Sequence, residues 1–259
     1  MNISITGPGV YFTIPILGGI RISQTAVALL AVTILLIVGA FIVTRRIEKR
    51  PGRLQVVIEK LVTMLYDLVE STMGKHNLKF APYIGALFLS SLFGSLIGLT
   101  QIFRSTTGDL SVTLAWALAT TGMVWYCNIK NFGFKAWLKG FTEPIAVMTP
   151  MNIVSEIANP ISMAFRHFGN VAGGSVLMSV IYAALAALSS VIFGWIPGLI
   201  GTIPFFQVGI PAVLSIYFDL FSGFVQAFVF CLLTMIYVGA ANPPAEELPV
   251  KNRKSKKQK

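Results

Sequence analysis

Residues 160–176 read PISMAFRHFGNVAGGSV, and the fold of the chain turns on how Arg166 is accommodated inside that stretch. Between Pro144 and Phe218 the only formal charges are Glu156 and Arg166, with His167 beside the arginine. Both flanks are apolar enough to lie in a bilayer. A guanidinium cannot escape by losing its proton, because its pKa lies above about 12. Holding it at membrane depth costs from about 3 to more than 10 kcal/mol. Such a side chain is expected to face protein or water rather than lipid, and it marks a functional site.

The rest of the composition supports a lipid solvent. Of 259 residues, 55% are hydrophobic and 12% charged, where a soluble domain carries about a quarter charged. The mean hydropathy is +0.76. In lipid only helices and closed barrels satisfy their backbones, and the apolar runs here are long and do not alternate. The expected fold class is therefore an all-α polytopic membrane protein. The net charge of +10 does not point to nucleic acid. The basic residues gather in loops and in the tail without interleaved aromatics, which is the positive-inside pattern. Cys127 and Cys231 fall in or near apolar segments and are expected to be free thiols packed as small hydrophobes. The N-terminus lacks the charged start of a signal peptide, so the first span is expected to be retained.

Working outward from the central stretch, the chain reads as a single membrane domain over 1–259. Residues 1–24 form a loop or short outer segment. Residues 25–44 are an uncharged span ending at Arg45-Arg46-Ile47-Glu48-Lys49-Arg50, whose basic end belongs inside and leaves the N-terminus outside. Residues 54–73 place Leu54, Val57, Ile58, Leu61, Leu65 and Leu68 on a helical period with polar residues between them. This segment is either an amphipathic helix along the inner membrane surface or a helix docked on the spans. Residues 80–129 form a transmembrane hairpin whose second helix can be capped by Thr106, Thr107 or Asp109. Residues 144–241 hold two long apolar tracts, broken around 193–204. At 1.5 Å per residue, a tract of ~45 residues makes a helix of over ~65 Å, so it either breaks or tilts steeply. Residues 242–259 are a basic cytoplasmic tail.

The membrane-embedded polar residues carry the candidate chemistry. On a helix, Ser162, Arg166, Gly169 or Asn170, and Gly173 share one face, and Gly169 and Gly173 leave a groove into which another helix can press. Glu156 lies about 80° from Arg166 around the helix, so it can line the same cavity nearer the inner side. Asp219 and Gln226 are seven residues apart on the last tract and share a face, with Ser222 and Gly223 between them. Gln226 can donate and accept, which suits it to steadying a guanidinium. The two polar faces suggest antiparallel neighbours with Arg166 near Gln226. His167 points about 100° away from Arg166 and reads as a packed, neutral residue. The sequence contains no phosphate-binding GxxxxGK[ST] loop, no HExxH and no CxxC. No catalytic residue, cofactor or metal site is expected.

Three stretches resemble a known family. Pro160-Ile-Ser-Met-Ala-Phe-Arg-His-Phe-Gly-Asn170 resembles P-[LV]-S-L-x-x-R-L-F-G-N. Val225-Gln-Ala-Phe-Val-Phe-Cys-Leu-Leu-Thr-Met-Ile-Tyr237 contains a segment similar to Q-A-F-[IV]-F-x-x-L-T-x-x-Y. Gly108-Asp-Leu-Ser-Val-Thr113, preceded by Lys79-Phe-Ala-Pro-Tyr-Ile84, is similar to D-L-[NS]-V-T. These are motifs of subunit a of F-type ATP synthases, and the resemblance covers roughly residues 30–242. It implies one ordinary span, a surface helix, a hairpin and two long tilted helices wrapped around a ring of c subunits. Arg166 takes the position of the family's essential arginine, Gln226 that of its glutamine, and Asn170 also matches. The chain departs from the pattern at Ser175, where many relatives carry Glu, at Asp219, where many carry His or Glu, and at His167, where Leu is common.

What the resemblance implies is ion flow through two offset half-channels, coupled to rotation of the ring and thereby to ATP synthesis. H⁺ or Na⁺ would enter from outside past Asp219 and Ser175, load a ring carboxylate, and leave past Glu156 after nearly a full turn. Arg166 would separate the two paths. The implied partners are the c-ring, the peripheral-stalk b subunits and the lipid bilayer. The implied location is a bacterial plasma membrane, with the C-terminus cytoplasmic. A self-contained ion-coupled secondary transporter is the alternative; it would need a substrate cavity within one chain.

Overall fold

The computed structural model describes residues 9–14, 20–45, 47–49, 51–100, 103, 105–143, 145–193, 214, 216–244 and 246. It opens on a short antiparallel hairpin, β1 (Val10–Ile14) against β2 (Ile20–Ser23), in the register Phe12 opposite Ile22 and Ile14 opposite Ile20. This hairpin lies within the segment expected to be a loop or short outer piece. The β-branched and aromatic run VYFTI explains it.

Among the described residues, the regular elements after the hairpin are all helical. Helix α1 (Gln24–Arg45) covers the uncharged run and ends on a basic residue. Helix α2 (Arg53–Met73) buries only Val69 and Met73, near its C-terminal end. Leu54, Val57 and Leu61 at its other end stay exposed. Helix α3 (Ala81–Leu96) runs on into a 3₁₀ turn, Ile97–Thr100. Helix α4 (Leu110–Phe132) is followed by the short α5 (Phe134–Gly140). Of the three candidate caps for α4, Asp109 is the one used: its carboxylate accepts the Ser111 backbone N–H at 3.0 Å.

Helix α6 (Thr149–Phe193) settles the question of the first long tract, because its 45 residues form one helix with Pro160 inside it. Its length is about 67 Å, against about 30 Å of hydrocarbon. The region around the expected break at 193–204 lies almost wholly outside the described residues. A π-helical turn, Ile216–Phe221, leads into α7 (Ser222–Ala241). Among the described residues, five helical stretches are long and apolar enough to cross a membrane: Gln24–Arg45, Lys75–Thr100, Leu110–Phe132, Thr149–Ile192 and Ser222–Ala241. The chain is an all-α polytopic membrane protein.

The core lies where α3, α4, α6 and α7 meet. Ile84 and Leu87 of α3, Ala117 of α4, Met163 and Ala164 of α6, and Phe230, Cys231, Met235 and Val238 of α7 are all buried there. Cys127 and Cys231 are both buried, and neither forms a disulfide among the described residues. At one end, three buried asparagines tie the helices together. Asn131 Nδ2 donates to the Ala241 carbonyl at 3.0 Å and to Asn242 Oδ1 at 2.7 Å. Asn242 Nδ2 donates to Asn77 Oδ1, and Asn77 Nδ2 donates to the Met73 carbonyl at 2.8 Å and the Asn242 carbonyl at 3.1 Å. These bonds fix the end of α7 against the α2–α3 junction and the end of α4.

Candidate functional site

Helix α6 has a buried side and an exposed side, and Arg166 is on the exposed one. Met163, Ala164 and His167 pack inward, while Ser162, Arg166, Gly169 and Gly173 are exposed. A Cβ built on Gly169 or Gly173 meets no atom within 4 Å. The small-residue groove therefore opens outward, away from the other described residues. Among the described residues, the Arg166 guanidinium makes no hydrogen bond or ion pair; the ion pairs there are Lys75–Glu70 and Lys139–Glu143.

The contact between α6 and α7 brings together two of the expected residues. Asn170 Nδ2 donates to Gln226 Oε1 at 2.7 Å. Gln226 is 3% exposed, and its Nε2 is buried without a hydrogen-bond partner. Asn170 lies four residues after Arg166, one turn along the same helix. Gln226 is thus bonded to Asn170; among the described residues no hydrogen bond joins Arg166 to Gln226, where the two were expected to be neighbours.

These positions can be compared with known proteins. The family profile for the ATP synthase A chain matches residues 25–239. The chain belongs to this family. It is 32% identical over 220 residues to the sodium-ion-specific ATP synthase subunit a of Propionigenium modestum, covering 79% of this chain and 69% of that protein. It is 31% identical over 223 residues to ATP synthase subunit a 1 of Crocosphaera subtropica, covering 85% and 87%. With subunit a of Moorella thermoacetica it shares 30% identity over 222 residues, covering 86% and 92%.

In this member of the ATP synthase A chain family, α6 holds a second polar site on the N-terminal side of Arg166. Glu156 is half-buried, and its Oε1 accepts the indole N–H of Trp125 on α4. It lines a cleft of about 240 Å³ together with Thr120, Thr121 and Asn128 of α4, Asn159 of α6 and Tyr237 of α7. Ten residues separate Glu156 from Arg166, or about 15 Å along the axis. Pro160 falls between them and has no N–H to give to the Glu156 carbonyl four residues before it.

Sequence reasoning missed Trp125 and the α4 side of this cleft. A tryptophan near the basic end of an apolar helix reads as an interface anchor, and nothing local to α4 points at Glu156. His167 is fully buried, as its packed reading expects. Its Nε2 lies 3.1 Å from Ser91 Oγ, and its ring meets Trp116 and Phe230 edge-on. Ser175 lies on α6, and Asp219 lies in the π-helical turn; the side chains of both lie outside the described residues. The seven-residue spacing from Asp219 to Gln226 returns to one face only in an unbroken α-helix. Across a π turn, with its i→i+5 bonding, the shared face cannot be read from the spacing.

Proposed function

We propose that this chain is the ion-translocating stator subunit of a rotary ATP synthase, with the exposed face of α6 set against a ring of c subunits. The observation that carries this reading is Arg166. It is a permanent charge on a helix long and apolar enough to span the membrane, exposed beside an open groove, with no counter-ion among the described residues. Lipid is a costly neighbour for such a group. A ring that presents a carboxylate at each step offers it a recurring partner, and the groove at Gly169 and Gly173 lets that ring approach closely.

In this reading Arg166 separates two aqueous paths. It attracts the emptied carboxylate and repels a cation that would cross without turning the ring. Asn170 and Gln226 stand beside it at the outer path, which Asp219 and Ser175 serve further out. Glu156 and its cleft form the inner path. A membrane potential supplies about 2.3 kcal/mol per charge per 100 mV, and that energy reaches the ring only if the paths stay offset. The chain itself binds no nucleotide; synthesis takes place elsewhere in the assembly. The setting is a bacterial plasma membrane with the N-terminus outside and the tail inside. The b subunits of the peripheral stalk hold the chain still.

The test is Arg166→Ala in membrane vesicles holding the whole complex. ATP-driven ion uptake and ATP synthesis are both expected to disappear with the complex still assembled, and passive leak to rise. Intact coupled uptake in an assembled Arg166→Ala complex would overturn the reading.

A further inference from the structure

The cleft around Glu156 is built from three helices, and only one of its groups is a carboxylate. Thr120, Thr121 and Asn128 face it from α4, Asn159 from α6 and Tyr237 from α7. Tyr237 is the other titratable group among the lining residues. The carboxylate is held from α4, because Trp125 Nε1 donates to Glu156 Oε1. Trp125 is in turn held from outside. Its ring lies 6.1 Å from that of Trp137 on α5, and Trp137 meets Phe141 edge-on at 5.1 Å. Glu143 and Lys139 pair with each other on the exposed surface.

This arrangement fixes one carboxylate oxygen. An indole donates one hydrogen bond and accepts none. Its partner Oε1 is committed to α4, which leaves Oε2 as the oxygen free to meet an ion or water in the cleft. We infer that Trp125 is a positioning residue for ion passage, orienting the Glu156 carboxylate so that one oxygen addresses the cleft. The inference rests on the reading of Glu156 as part of the inner path. A hydrogen bond to a charged acceptor is strong and directional. Without it, a carboxylate at a half-exposed site samples several rotamers and spends less time in the cleft.

The experiment uses inverted vesicles carrying the whole complex, whose cytoplasmic face meets the medium. ATP-driven uptake is measured against the concentration of the transported ion in that medium, for both H⁺ and Na⁺. Trp125→Phe, which keeps a ring and removes the N–H, is expected to raise the half-saturating concentration by about tenfold, with the maximal rate little changed. Trp125→His returns a ring N–H to a similar reach and is expected to restore the parent value. In a Glu156→Gln background, Trp125→Phe is expected to add nothing. Should Trp125→Phe fail to assemble, Trp125→Leu carries the same comparison. Equal effects of the tryptophan substitution in both backgrounds, or no restoration by histidine, would reduce Trp125 to packing and overturn the inference. Unaltered uptake in Glu156→Gln alone would instead remove Glu156 from the inner path, and the positioning role with it.

Discussion

Asn170 on α6 and Gln226 on α7 are joined by a 2.7 Å hydrogen bond that uses the glutamine's oxygen and leaves its buried Nε2 without an acceptor. A buried donor without a partner costs about 1–3 kcal/mol. The glutamine is therefore held ready for a further acceptor that the described residues do not provide.

The first expectation follows from that pair. Asn170→Ala strands the second polar atom of Gln226 and should destabilise the subunit by about 1–3 kcal/mol. Adding Gln226→Leu to Asn170→Ala should recover much of the loss, because the orphaned amide is gone. Unfolding in detergent, followed by helical circular dichroism across all four members of the cycle, gives the coupling directly. Purely additive losses would show that the bond does not carry the contact.

A second expectation separates folding from assembly. Gly169→Leu adds a side chain where a Cβ meets nothing within 4 Å. The isolated subunit should be no less stable, and should gain up to about 1 kcal/mol from helix propensity. Coupled uptake by the complex should nevertheless fall by about fivefold to a hundredfold, the effect of overpacking an interface by about 1–3 kcal/mol. Gly94→Ala is the contrast. Its Cβ would stand 2.2 Å from Thr106 Oγ1, so the subunit itself should lose stability before any partner is involved.

The asparagine cluster supplies a third. Asn242→Ala removes one of the two acceptors of Asn131 and the donor to Asn77, both of which are buried. The expected loss is about 2–4 kcal/mol, roughly two unmade buried bonds. Trypsin should then cut the Lys75–Lys79 region sooner than in the parent, because the α2–α3 junction loses its tie to α7.

A fourth concerns Asp109, which caps α4 and also accepts the Thr25 hydroxyl at 2.5 Å, tying α1 to the hairpin of α3 and α4. Asp109→Ala should cost about 1–2 kcal/mol. Asp109→Asn keeps an oxygen for the Ser111 amide and should cost less. Thermal unfolding in detergent ranks the two, and equal losses would show that the cap is not the main contribution.

How much of this was legible in the sequence depended on the range of the signal. Helices α1, α3 and α4 follow from uncharged runs bounded by charge or turn residues, a purely local pattern. The exposed face at Ser162, Arg166, Gly169 and Gly173 follows from helical spacing alone. That α6 is unbroken did not follow. Pro160 permits either outcome; the helix runs through it, with Met163, Ala164 and His167 packed on its inward side. The asparagine cluster joins residues 77, 131 and 242, and Trp125 meets Glu156 across two helices. No periodicity within one segment encodes such contacts. The π turn at Asp219 was hidden for a different reason: spacing arguments assume 3.6 residues per turn, and the residue of interest lies where that assumption ends.

The outward exposure of Arg166 also bears on how such a subunit is made. Under the proposed reading, a copy inserted ahead of its ring holds Arg166 against lipid, at about 3 to more than 10 kcal/mol, and association removes that burden. Uncombined copies are then the least stable form in which the chain can exist in the bilayer. They should be cleared by membrane proteolysis faster than assembled ones. Matched supply of subunits would in that way be enforced by solvation as well as by the rate at which each is synthesised.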